Sequence, residues 1–159
     1  MPDPHERFMR LALGEAHRGI RKGAGGPFGA CIVKGGRVVA VGHNRVLAAH
    51  NPTLHAEIVA LGRASRKLGT HLLDGCVVYS TTEPCPMCFA ALHWARVAAV
   101  HFGTTVPDVK RLGFNELTLS NATLKRLGRS PVKLFPGLLR EECRQLLRDW
   151  TSLPTRRTY

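Results

Sequence analysis

The sequence predicts an α/β fold: a three-layer α/β/α sandwich built on a mixed five-stranded sheet. Three observations carry that prediction. Apolar runs at 30–33 and 37–41 flank Gly35-Gly36, and the glycine pair accepts the positive φ of a tight antiparallel hairpin. Further short apolar runs alternate with helical patterns, which calls for a sheet covered on both faces. Apolar stripes at helical spacing open and close the chain and supply part of that cover.

Taken in order, residues 4–22 carry Phe8, Leu11, Ala12, Ala16 and Ile20 at helical spacing, and the glycines among 23–26 end that helix. After the hairpin, a polar loop over 42–52 leads to a helix from near His55 to Leu68-Gly69. Cys76-Val77-Val78-Tyr79-Ser80 reads as a buried strand, 86–97 as a second helix and 98–102 as another strand. Asn121 can cap a short helix through Leu127, stopped by Gly128 and followed by Pro131. Val132-Lys133-Leu134-Phe135 reads as a final edge strand. Leu139, Cys143, Leu146, Leu147 and Trp150 then form one apolar stripe on a closing helix. Residues 1–150 read as a single domain and 151–159 as a loose tail, with no repeat or low-complexity stretch.

At 159 residues the chain can bury a sizeable core without dividing. No apolar run reaches the length of a membrane span, and the first residues lack a secretory pattern. Five cysteines, two of them in one CxxC, argue against a disulfide framework and for the cytoplasm. Cys31, Cys76 and Cys143 sit in apolar surroundings and read as small core residues. The net charge of +12 raises RNA as a partner. The basic residues are scattered, however, and lack the interleaved aromatics of a stacking groove, so RNA is not favoured.

The chemistry is concentrated in His55-Ala56-Glu57 and Pro84-Cys85-Pro86-Met87-Cys88. His55, Cys85 and Cys88 are nitrogen and sulfur donors that suit zinc, not the all-oxygen shells of magnesium or calcium. Three protein ligands, with no fourth at comparable spacing, leave a position for water, the arrangement of a catalytic zinc. With His55 and Cys85 at the starts of two helices, both ligands point to one spot, and a helix N-terminus favours the thiolate. Glu57, two residues after His55, can reach a metal-bound water without binding the metal. That combination predicts one Zn2+ per chain and a hydrolytic reaction with Glu57 as proton carrier. His43, His50, His71, His93 and His101 have no such spacing and are assigned to surface or core.

These motifs, in this order, resemble the zinc nucleobase deaminases of the cytidine and deoxycytidylate deaminase superfamily. The resemblance runs from about residue 5 to residue 150 and includes Gly25-Gly26-Pro27-Phe28-Gly29-Ala30 and Gly42-His43-Asn44. It implies the cytidine deaminase-like fold and replacement of a ring amine by a carbonyl with release of ammonia. It also implies a homodimer. Within the superfamily, the segment around Phe28 and the helix around Trp94 resemble guanine deaminases, as does Gly113-Phe114-Asn115-Glu116. The resemblance implies that Phe28, Asn44, Ala56, Trp94 and Glu116 contact the base and that Glu116 is a second catalytic carboxylate. A free purine such as guanine is the expected substrate. Asn115 departs from that family's usual acid, and 117–137 does not resemble its ending, in which exchange between subunits closes the pocket. Residues 136–143 resemble tRNA adenosine deaminases, which keeps tRNA adenosine-to-inosine conversion as the alternative, followed by a cytosine or nucleoside substrate. A non-enzymatic zinc module would need a fourth ligand and no Glu57, and the HExxH pattern of other zinc hydrolases is absent.

Overall fold

The computed structural model describes residue 1 and residues 3–159. Its elements are α1 (Pro4–Arg21), β1 (Gly29–Lys34), β2 (Arg37–His43), α2 (Val46–Ala49), α3 (Ala56–Leu68), β3 (Cys76–Thr82), α4 (Pro86–Trp94), β4 (Ala99–Thr104), α5 (Val106–Lys110), α6 (Asn121–Gly128), β5 (Lys133–Pro136) and α7 (Arg140–Thr151). The five strands form one sheet in the order β2-β1-β3-β4-β5. β1 is antiparallel to both β2 and β3, whereas β3–β4 and β4–β5 are parallel. It follows that β2, β3, β4 and β5 all run the same way and end at the same sheet edge, with β1 alone reversed.

Local chemistry explains most boundaries. Asp3 caps α1 by accepting the His5 N–H at 2.9 Å, and Pro4 stands at the first helical position, where no N–H is missed. Gly35 and Gly36 take φ of +55° and +74°, the primed hairpin turn expected from the sequence. Gly69 ends α3 in the left-handed region.

Alternation along the strands divides the core in two. Ala30, Ile32, Val78, Val100 and Phe102 face one side and join buried residues of α3 and α4. Cys31, Val33 and Tyr79 face the other, against Phe8, Met9 and Ala12 of α1 and Cys143 and Leu146 of α7. The molecule is the expected three-layer sandwich, with Cys31, Cys76 and Cys143 buried in it. Burial pushes the Cys31 and Cys143 thiols up to about 12, so they are inert at neutral pH.

Some boundaries differ from the sequence expectation. The polar loop after β2 contains a turn of helix, α2, and the segment after β4 contains α5 with a Thr105–Asp108 capping box. Ser120, not Asn121, caps α6, because its hydroxyl accepts the Thr123 N–H while Asn121 is drawn into the interior. α4 stops at Trp94, three residues early, as Arg96 turns the chain at φ +60°. Leu139 caps α7 in a left-handed conformation outside the helix, yet it packs against the same core as Cys143 and Leu146.

On the α1 side, His101 is stacked between His5 and Phe135, with ring centroids 4.4 and 4.6 Å away, and also against Tyr79 at 5.0 Å. Burial, reinforced by the nearby His5, lowers its pKa from 6.5 to about 4. Because the folded state prefers the neutral ring, this contribution is complete above 6.5 and fades as pH falls towards 4. Replacing His101 by Phe is expected to flatten the decline of Tm across that window, as read by thermal melts at several pH values; an unchanged slope would contradict the assignment.

Candidate metal centre

His55 is the N-cap of α3, and Cys85 is the N-cap of α4 with Pro86 just inside it. Both hold extended backbone conformations, ψ 161° and 166°, so each side chain projects off the end of its helix. Cys88 lies on the first turn of α4 and faces the same point. The ligand atoms of His55, Cys85 and Cys88 all lie within 4.8 Å of one another. Nδ1 of His55 is 3.5 Å from Sγ of Cys85. Around a tetrahedral zinc with ordinary bond lengths, nitrogen and sulfur ligands stand about 3.6 Å apart. The His55–Cys85 pair already stands at zinc-ligand spacing, the three side chains together suit a zinc ion, and among the described residues no fourth His, Cys, Asp or Glu joins the cluster. Hydrogen bonding from Cys88, opposed by burial and helped by His55, lowers the Cys85 thiol to about 4, so this sulfur is already an anion.

Glu57, on the first turn of α3, is 4 % exposed and lies beside this cluster. Its Oε1 accepts a hydrogen bond of 2.9 Å from the Ser80 hydroxyl, and burial pushes its carboxyl up. In front of the cluster is a cavity of about 310 Å3, at the small end of ligand pockets. His55, Glu57 and Cys85 form its floor, while Phe28, Phe114 and Glu116 are among its walls. The two phenyl rings meet edge to face at 5.2 Å. Glu116 is half-buried, and burial, with the negative charge of Cys85 and Glu57 adding and His55 and Lys110 opposing, raises its pKa to about 7.

Glu83 links the metal loop to that wall. Its two oxygens accept the Val106 N–H at 3.0 Å and the Asn121 N–H at 2.8 Å, the first N–H groups of α5 and α6. One buried carboxylate, two residues before Cys85, thus ties down both ends of the stretch bearing Phe114 and Glu116. Each N–H left bare would cost about 1–3 kcal/mol.

The segment after Trp150, expected to be loose, is largely exposed but is anchored at Leu153 and Tyr159. Tyr159 lies against Phe114, ring centroids 5.1 Å apart, and its carbonyl accepts the Asn115 N–H at 2.8 Å. Its hydroxyl takes a hydrogen bond from the Asn44 side-chain amide. Asn44 is fully buried, and its Oδ1 accepts the N–H groups of Gly26 and Val46 at 3.3 and 3.1 Å. Asn44 therefore stands behind Tyr159 instead of lining the cavity directly.

The fold brings together His55, Cys85, Glu57, Phe28 and Glu116 at one cavity, with Cys88 buried behind its metal cluster and Asn44 adjoining. Ala56 is fully buried in the core at the first position of α3, so only its backbone N–H is free of helical bonding. Trp94 is a correction. It lies at the far end of α4, nine residues from Cys85 or about 13 Å along the helix, and is 80 % exposed beside His71 and Arg96. Tyr159, Glu83 and Ser80 were not expected. Tyr159 is distant in sequence and carries no local signal, whereas Ser80 and Glu83 bound a polar run, Ser80-Thr81-Thr82-Glu83, that leads from the apolar start of β3 into PCxxC.

Residues 2–104 match the family model for the cytidine and deoxycytidylate deaminase zinc-binding region. The chain belongs to that family. It is a zinc-dependent hydrolytic deaminase. A guanine deaminase of Bacillus subtilis is 44 % identical over 112 residues, 70 % of this chain and 72 % of that protein. A tRNA-specific adenosine deaminase of Agrobacterium fabrum is 41 % identical over 143 residues, 90 % of this chain and 91 % of the other. The solved guanine deaminase from Nitrosomonas europaea superposes with a TM-score of 0.85 at 32 % identity, covering 93 % of this chain and 85 % of its own.

A Cβ at Gly25 would overlap Oδ1 of Asn44 and crowd its backbone carbonyl. Gly25→Ala is therefore expected to displace Asn44 and raise KM for the substrate about tenfold, the size of one lost hydrogen bond, with zinc content unchanged. Steady-state kinetics beside metal analysis would check this; unchanged KM would contradict the role of Asn44 in shaping the pocket.

Proposed function

We propose that this deaminase acts on a free purine base, guanine first, converting it with water to xanthine and ammonia. The observation that carries the reading is the second carboxylate, Glu116, on the wall of the small aromatic cavity that Glu57, His55 and Cys85 also line. Guanine presents adjacent N–H donors along one edge, and a carboxylate supplies the paired acceptors. Phe28 and Phe114 sandwich or flank the ring, Asn44 contributes its amide once the Tyr159 hydroxyl yields it, and Ala56 offers its helix-terminal N–H to a carbonyl. Trp94, exposed on α4, contacts no base within its own chain.

Zinc held by His55, Cys85 and Cys88 supplies an acidified water at neutral pH. Glu57 takes a proton from the attacking water and delivers it to the neighbouring ring nitrogen; it then takes the second proton, from the hydroxyl added to the ring carbon, and gives it to the departing amine, which leaves as ammonia. Glu116 holds the base edge and takes part in the same proton traffic. Positioned proton transfer of this kind is worth about 10²–10⁴ in rate. Residues 1–150 act as one catalytic domain, with 151–159 as a segment that covers its pocket. A homodimer is supported by the exposure of Trp94 and Leu127 on neighbouring helices of one face. Among the described residues no helix is long and apolar enough to cross a membrane. The five free cysteines suit a reducing cytoplasm.

The second reading, tRNA adenosine deamination, is supported by the 41 % identity to the Agrobacterium fabrum enzyme over nearly the whole chain and by the net charge of +12. The Tyr159 segment over the pocket favours the smaller substrate. Ammonia release measured across guanine, adenine, cytosine, their nucleosides and a tRNA anticodon stem-loop separates the two. Turnover of guanine above the rest is expected; processing of the stem-loop with no activity on free bases would overturn the proposal.

A further inference from the structure

We propose that Ser80 is a positioning residue for Glu57: it anchors one carboxylate oxygen so that protons are always carried on the other. This rests on the reading of Glu57 as the proton carrier.

Ser80 sits in the middle of β3, paired with Ala30 of β1 on one side and Phe102 of β4 on the other. Strands on both sides fix the backbone here by two ladders. The alternation that turns Val78 into the core beneath α3 and α4 turns Ser80 the same way. At that position an apolar residue would satisfy the fold, as Val78, Ala30 and Phe102 do. A serine that is 1 % exposed must instead find a partner for its hydroxyl, and the partner is Glu57 Oε1 at 2.9 Å.

The geometry supplies what Glu57 lacks by itself. The terminal torsion of a glutamate is broad and nearly two-fold, so the α3 backbone fixes where the carboxylate is but not how its plane is turned. A hydrogen bond from a fixed strand removes that freedom. Because the Ser80 hydroxyl donates to Oε1, one lone pair of that oxygen is engaged and its basicity is lowered, so the proton taken from water is loaded onto Oε2. During a turnover Glu57 twice receives a proton on Oε2 and gives it up again, once to the ring nitrogen and once to the amine, and the Ser80 hydrogen stays on Ser80 throughout. A carboxylate free to swing would still bind protons but would present them in the wrong direction for part of the time.

The test is a set of purified zinc enzymes, Ser80→Ala, Ser80→Thr and Glu57→Gln, assayed with guanine or with whichever base in the substrate panel releases ammonia. Ser80→Ala is expected to lower kcat about 10- to 100-fold, the scale of an ångström-level misplacement, with KM, zinc stoichiometry and Tm little changed. Ser80→Thr, which keeps the hydroxyl, is expected to recover most of the rate. Unchanged kcat in Ser80→Ala beside an inactive Glu57→Gln would overturn the positioning role and leave the proton carrier standing. Retained turnover in Glu57→Gln would overturn both. Parallel loss of zinc, Tm and activity in Ser80→Ala and Ser80→Thr alike would show a purely structural residue and also overturn the proposal.

Discussion

The structure depends on bringing two helix N-termini to one point at one edge of the sheet. Since β2, β3 and β4 run the same way, the segments that follow them emerge together, one leading to His55, one to Cys85 and one to Glu116. Ligand sites in open α/β sheets form at the carboxyl ends of strands for this reason. The reversed strand β1 begins at the same edge, which is why Phe28 joins the cavity wall. A metal with three protein ligands is thus a consequence of strand direction and of two N-caps, and the positive ends of α3 and α4 favour the thiolate and carboxylate gathered there.

Around that point the protein concentrates buried polar and acidic groups, and each is held by a different device. Glu57 is steadied by a strand hydroxyl, Glu83 by two helix N-termini, and Asn44 by the backbone of the Gly25-Gly26 bend and Val46. Buried polar groups are costly unless fully paired, and once paired they fix geometry. The hydrogen bonds of Glu83 are structural, yet they determine where Glu116 can stand. Packing at Tyr159 and Phe114 then restricts the volume in front of the metal, so catalysis and substrate size are set by neighbouring parts of one network.

What could be read from the sequence follows the range over which each signal acts. The Gly35-Gly36 turn, the α1 and α7 stripes and the histidine–cysteine spacing are local, and the five strands and three ligands were legible from them. Ser120 displaced Asn121 as a cap because both residue types cap helices and only the interior decides between them. Trp94 was misplaced because a resemblance in sequence does not count turns along a helix. Tyr159 could not be read at all: its partners, Asn44 and Phe114, are remote in sequence, and nothing in the tail's composition marks it as packed. Ser80 was legible only as a polar residue in a buried strand, with its partner hidden until β3 and α3 were in register.

X-ray absorption at the zinc edge of the loaded protein addresses the three-ligand centre most directly. Two sulfur neighbours at about 2.3 Å with two nitrogen or oxygen neighbours at about 2.0–2.2 Å, one of them replaceable by added anion, are the predicted shell. A third sulfur, or a four-ligand shell unaffected by any anion, would contradict an open catalytic position formed by His55, Cys85 and Cys88.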